Sequence, residues 1–191
     1  MNLQPASRLN GVQEYYFAGK LRQIAQMRAE GRTILNLGIG SPDLPPHPRV
    51  VETLHHGSAS AHTHGFQSYS GIPALREAWA AWYQRHFDVT LNPVTQVLPL
   101  QGSKEGILHL AMALLGPGDE ALVPDPGYPT YAAATNLSGA AVRTYDLTAQ
   151  NNWQPDFEAL EKTDLSRVKV LWANYPHMPS GAAANTDTLQ N

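Results

Sequence analysis

A chain of 191 residues with 42% hydrophobic content can pack one domain, or one and a half small ones, which excludes a disordered polypeptide. Charged residues make up 15% and the formal net charge is -3, so no basic surface invites nucleic acid; the absence of cysteine excludes disulfides and thiol catalysis. So low a charge content fits a surface largely covered by a second domain or subunit.

Residues 1–11 lack the apolar run of a signal peptide, and a soluble cytoplasmic protein is expected. Residues 14–30 place Phe17, Leu21, Ile24, Ala25 and Met27 at helical spacing, and Gly31 stops that helix. Residues 33–39 read as a short strand leading into a Pro-rich loop, 40–46. One or two helical turns are expected over 48–55, and a polar Gly-, Ser- and His-rich loop over 55–70. Residues 73–87 form an amphipathic helix with Leu75, Ala78, Trp79, Trp82 and Tyr83 on one face. A regular alternation follows: strand 96–100, helix 105–115, strand 120–123, helix 130–137, strand 141–146, short helix 156–161 and strand 168–173. The apolar run 107–115 is broken by His109 and is too short to cross a membrane. Strands alternating with helices predict an α/β fold, a mostly parallel sheet with helices on both faces.

Ligands of open α/β sheets bind beyond the carboxyl ends of the strands, where three loops fall: 102–104, 124–128 and 174–181. In the first, a strand runs into Gly102-Ser103-Lys104 and a helix begins. Its free N–H groups and positive dipole end make a seat for phosphate, with the Ser103 hydroxyl as a further donor. The same serine could instead simply cap the helix. The spacing matches neither a nucleotide loop nor a dinucleotide fingerprint, so a small phosphate-bearing ligand is expected rather than ATP or NAD. In the second loop Tyr128 offers a face for a flat ring, or for ordinary packing. The third is a backbone held by prolines.

In this order and spacing the loops resemble those of the fold type I pyridoxal 5'-phosphate (PLP) enzymes. The likeness is strongest to class I/II aminotransferases of the aspartate and LL-diaminopimelate kind. It extends to Leu37-Gly38-Ile39-Gly40-Ser41-Pro42-Asp43 and to Gly71-Ile72-Pro73-Ala74-Leu75-Arg76-Glu77-Ala78, and covers essentially the whole chain. The resemblance implies an N-terminal arm and small-domain segment over 1–46 and an incomplete PLP-binding large domain over 47–191. It implies that Gly102, Ser103 and Lys104 hold the cofactor phosphate and that Tyr128 stacks on the pyridine ring. Gly40 and Tyr15 would then lie against substrate. The activity implied is amino-group transfer between an L-amino acid and a 2-oxo acid, in a homodimer with sites at the interface.

Two positions depart from the family pattern. Met178 stands where an asparagine donates to the cofactor's phenolic oxygen, and a thioether has no proton to give. Phe66 stands where a tyrosine hydroxyl reaches the partner's phosphate, with Gln67 or Tyr69 as substitutes. Both changes predict weaker PLP binding. None of Lys20, Lys104, Lys162 and Lys169 has the family's Ser-x-x-Lys context, so the Schiff-base lysine is expected beyond Asn191 and no catalytic residue is assigned here. The family returns strand 96–100 beside strands that come later in the chain. Alone, residues 1–191 are therefore expected to leave it unpaired and not to fold stably.

Three rivals remain. His55, His56, His62 and His64 cluster as metal sites do, but no cysteine or clear acidic partner joins them. An inert PLP-fold fragment or structural partner is a second reading. Lyase or decarboxylase chemistry on the same scaffold is a third. His177 is expected at most to neighbour the cofactor.

Overall fold

The computed structural model describes residues 3–190 except 11, 13 and 39. It comprises two compact units, Glu14–Pro99 and Leu100–Asn191 together with Met1–Gln13.

The first unit is helical. α1, Tyr16–Ala29, half-buries Phe17, Ile24 and Met27, and is followed by Gly31 at a positive φ of 86°. α2, Pro48–Ala59, starts on a proline, and His47 Nδ1 accepts the Arg49 N–H at 3.2 Å as its cap. This helix is longer than the one or two turns expected; it and a 3-10 turn, Ala61–Thr63, occupy much of the span read as a loop. Gly and Ser lowered the helical expectation there, but the proline start and the cap favour continuing the helix. α3, Pro73–Phe87, matches the sequence reading and ends on left-handed Asp88. Its aromatic side chains interlock edge to face, with Trp79 and Trp82 centroids 5.6 Å apart and Trp82 and Phe87 5.1 Å apart. Arg76 is buried on this helix and donates to the Pro93 carbonyl at 3.0 Å.

Two expected strands are not formed. Residues 33–38 carry no strand, with Leu35 and Leu37 exposed; position 39 lies outside the described residues. Residues 96–100 likewise pair with no described strand, and Leu98 is 61% exposed. Alternating apolar residues mark where a strand fits, but a strand exists only where a neighbour supplies its ladder.

The second unit holds the sheet: α4 Ser103–Leu114, β1 Glu120–Asp125, α5 Pro129–Ser138, β2 Ala141–Asp146, α6 Phe157–Glu161, β3 Val168–Leu171 and α7 Thr186–Gln190. The spatial order is β2-β1-β3, and both pairings are parallel. The α/β expectation with a mostly parallel sheet is met. Period-two alternation in β1 sends Ala121 and Val123 into a core shared with Ala111 of α4, Leu115 at its C-cap, and Tyr131 and Ala134 of α5. Leu122 points the other way, into a cluster with Tyr145, Leu147 and, from α6, Leu160. Helices thus cover both faces. β3 carries an irregularity: Glu120 faces Val168, yet Ala121 faces Val170, so Lys169 is an extra residue in the ladder. That bulge puts Val168 in the α6 cluster and Val170 in the α4–α5 core.

Beyond β3, Trp172 stacks on Tyr131 with centroids 5.2 Å apart and planes 11° apart. The buried Tyr145 hydroxyl donates to the Trp172 carbonyl at 2.8 Å, a bond worth about 1 kcal/mol net.

Candidate functional site

β1 and β3 are parallel neighbours, so the loops after them leave the same edge of the sheet side by side. The loop after β1 is Pro126-Gly127-Tyr128, and α5 begins at Pro129. The turn is tight: a Cβ on Gly127 would stand 2.3 Å from the Pro124 carbonyl oxygen. Only glycine allows it.

The N-terminus of α4 answers the capping question left open by the sequence. The N-cap is Gly102, at φ 140° and ψ 159°, and Ser103 is the first helical residue, making no cap hydrogen bond. Instead Glu105 reaches back, its Oε2 accepting the Gln101 N–H at 2.7 Å. The N–H groups of a helix's first turn point out along its axis rather than into its own hydrogen-bond ladder. With the exposed Ser103 hydroxyl beside them they present the donor set a phosphate needs, at the positive end of the helix dipole. The Glu105 carboxylate opposes that field, and the Gln101 N–H engages one of its oxygens.

Lys104 and Tyr128 are brought together: the Lys104 ammonium lies 5.8 Å from the Tyr128 ring centroid. The ring also meets Tyr131 edge to face at 5.7 Å, so packing sets its orientation. Met178 is about half exposed on the loop after β3, and its N–H lies 3.4 Å from Asn174 Oδ1. Its side chain supplies no donor.

Gly40, Tyr15, Phe66 and Tyr69 belong to the other unit. There Tyr15 is the N-cap of α1 and Gly40 is exposed, with open space for 4 Å around the point where a Cβ would stand. Phe66 and Tyr69 meet edge to face at 6.4 Å, 93% and 97% exposed. Lys162 and Lys169 are engaged by Glu158 at 3.9 Å and Asp119 at 3.0 Å. The Lys169 hydrogen bond, aided by the Gly116 N–H, holds the Asp119 carboxyl below its ordinary value against partial desolvation. His64 binds the Ser58 carbonyl at 2.9 Å, and no three His, Cys, Asp or Glu among the described residues converge on a metal position.

Two residues of this region were undervalued by sequence reasoning. His177 is 2% exposed and bonded at both ring nitrogens rather than a loose neighbour. Gln154, 9% exposed, donates to the Ala183 carbonyl at 3.1 Å and accepts the Thr188 hydroxyl at 2.6 Å. The one signal for His177 was Ser180 three positions on, inside a Pro-Gly turn. Nothing local marked Gln154.

Residues 32–191 match the family model described as aminotransferase class I and II. The chain is 44% identical over 182 residues to an LL-diaminopimelate aminotransferase of Dehalococcoides mccartyi, spanning 95% of this chain and 47% of that protein. It is 38% identical over 185 residues to transaminase BacF of Bacillus subtilis, with 97% and 46% covered. The structure of apo-BacF aligns with a TM-score of 0.91 at 37% identity, over 98% of this chain and 48% of that one. The chain spans about half the length of the curated relatives it matches.

Proposed function

Because the chain belongs to the class I and II aminotransferases, we propose that it supplies the cofactor-anchoring part of an enzyme that moves an amino group between an L-amino acid and a 2-oxo acid. The observation that carries the reading is the uncapped start of α4 beside a fixed aromatic ring. The donor set suits a phosphate monoester: hard, doubly charged oxygens matched by backbone N–H groups, a hydroxyl and an ammonium. When bound, PLP supplies the electron sink that makes amino-group transfer possible.

This chain's own residues bind and orient. The amides of Ser103 and Lys104 and the Ser103 hydroxyl hold the phosphate, with Gly102 letting the backbone approach. Tyr128 presents its ring to the pyridine, a contact worth about 0.5–1.5 kcal/mol. Met178 contributes contact but no hydrogen bond to the phenolic oxygen, so cofactor affinity sits below that of an asparagine-bearing relative. Gly40 and Tyr15 face substrate, and Phe66 and Tyr69 approach the phosphate of a partner subunit in a cytoplasmic homodimer. In the complete protein, residues 1–46 form the arm and small-domain segment and 47–191 belong to the large domain.

The test is phosphate selectivity. In the full-length protein, Ser103→Asp places a carboxylate in the seat. PLP affinity should fall steeply, while affinity for unphosphorylated pyridoxal should hold. Equal loss for both ligands, or no loss for either, rejects the seat. Consumption of a 2-oxo acid in the presence of PLP and an amino acid tests the reaction itself.

A further inference from the structure

Between the second and third loops lies a buried histidine to which the proposed chemistry gives no task. His177 Nε2 lies 3.1 Å from the Pro126 carbonyl oxygen and Nδ1 2.7 Å from Ser180 Oγ. A carbonyl oxygen only accepts, so Nε2 carries a proton; in the neutral ring Nδ1 then accepts the Ser180 O–H. The serine oxygen in turn takes the Ala182 N–H at 3.3 Å. The backbone is held as well: the His177 N–H donates to Ala182 at 2.7 Å, and the Gly181 N–H to His177 at 2.6 Å. The Trp153 ring lies nearly parallel to the imidazole, 21° between planes and 6.3 Å between centroids, and Tyr175 tilts against it at 6.0 Å.

Such a ring, 2% exposed with both nitrogens engaged, is not arranged to exchange protons with a substrate. What it does is join. The Pro126 bond spans 51 residues of sequence and ties the loop after β3 to the loop after β1. Tyr128 stands two residues past one end of that bond, and Met178 is the residue after the other. Tyr175 adds a second tie, its hydroxyl donating to the Trp153 carbonyl at 2.7 Å, and Gln154 a third at Ala183. Of the three, the His177 bond alone reaches the Tyr128 loop.

We infer that His177 is a positioning residue for the cofactor site, fixing the Tyr128 loop and the Met178 loop relative to one another. The inference rests on the cofactor reading above. The Nε2–H bond is the working part: with a donor lost at Met178, ring placement depends more heavily on where Tyr128 is held.

The experiment uses the full-length protein, PLP titration and the visible circular dichroism of bound PLP, which reports ring orientation. His177→Gln keeps an amide donor about as far from the backbone as Nε2; His177→Asn reaches only as far as Nδ1. Gln154→Ala, which cuts an anchor of the same segment without touching Pro126, is the control for mere destabilisation. The expected result is a PLP dissociation constant raised roughly ten-fold in His177→Ala and His177→Asn, with an altered dichroic band. His177→Gln should recover most of both, and Gln154→Ala should lower Tm while leaving the band intact. Wild-type affinity and band in His177→Ala overturn the inference. If that variant does not fold, indistinguishable bands in the Gln and Asn variants overturn it equally. A wild-type protein that gives no PLP-induced band rejects the cofactor reading and the inference with it.

Discussion

Gly127→Ala adds a single methyl group at the tightest point of the second loop. The new Cβ would stand 2.3 Å from the Pro124 carbonyl oxygen and 2.7 Å from Pro124 Cγ, where ordinary contact begins at 3.4 Å. The gap must open by about 1.1 Å. Pro124 cannot yield readily, because it lies buried in the central strand, in register with Tyr145. The 126–128 turn must move instead, and Pro126 and Tyr128 move with it. Overpacking of this kind costs about 1–3 kcal/mol, and loss of the His177 bond adds roughly 0.5–1.5 kcal/mol. For a protein as long as the curated relatives, about twice this chain, a penalty of about 2 kcal/mol lowers Tm by about 2–4 °C. Differential scanning fluorimetry of the full-length protein measures the Tm, and PLP titration measures the affinity that should fall with it. An alanine variant with wild-type Tm and wild-type PLP affinity would refute the reasoning, since the turn would then have accommodated the methyl in place.

Met178→Asn should restore a donor to the phenolic oxygen and tighten PLP roughly ten- to hundred-fold, as a hydrogen bond to a charged group is worth about 1.5–3 kcal/mol; an unchanged dissociation constant counts against Met178 facing the cofactor. Tyr128→Ala should weaken PLP by roughly two- to ten-fold, read in the same titration, with Tyr128→Phe close to wild type. Tyr145→Phe removes the donor to a buried carbonyl and should cost about 1–3 kcal/mol in denaturant unfolding. Asp119 gives a pH dependence. Its folded pKa is depressed by Lys169, so the pair stabilises above the ordinary value of 3.8 and that contribution is lost as pH falls through the folded value. Lys169→Met should therefore be less stable than wild type at neutral pH, and the difference should close in acid. A gap that persists well below pH 3.8 would assign the effect to the bulge instead.

Elements that carry their own signals were legible. α3 has proline at its first position and an aromatic face, and β1 and β2 are framed by Gly-Pro-Gly and Ser-Gly stops, so each was placed within a residue or two. Residues 33–38 and 96–100 carry the same alternation without forming strands, because pairing belongs to the neighbour as much as to the segment. The site divides the same way. Gly102, Ser103 and Tyr128 announce themselves through turn chemistry next to predicted element ends. That glycine rather than serine caps α4 depended on backbone angles no spacing reveals. His177 was harder still, for its meaning comes from a carbonyl 51 positions away.

The extra residue in β3 reaches further than its own strand. By slipping the alternation once at Lys169, it sends Val170 and Trp172 together to the face opposite Val168. Were Lys169 instead paired with Ala121 in a regular ladder, the phase of everything downstream would be reset: the indole would swing away from Tyr131, and the chain carrying His177 and Met178 would depart from the wrong side of the sheet. The direction in which the loop carrying His177 and Met178 leaves the sheet is thus set by a single surplus residue upstream of it.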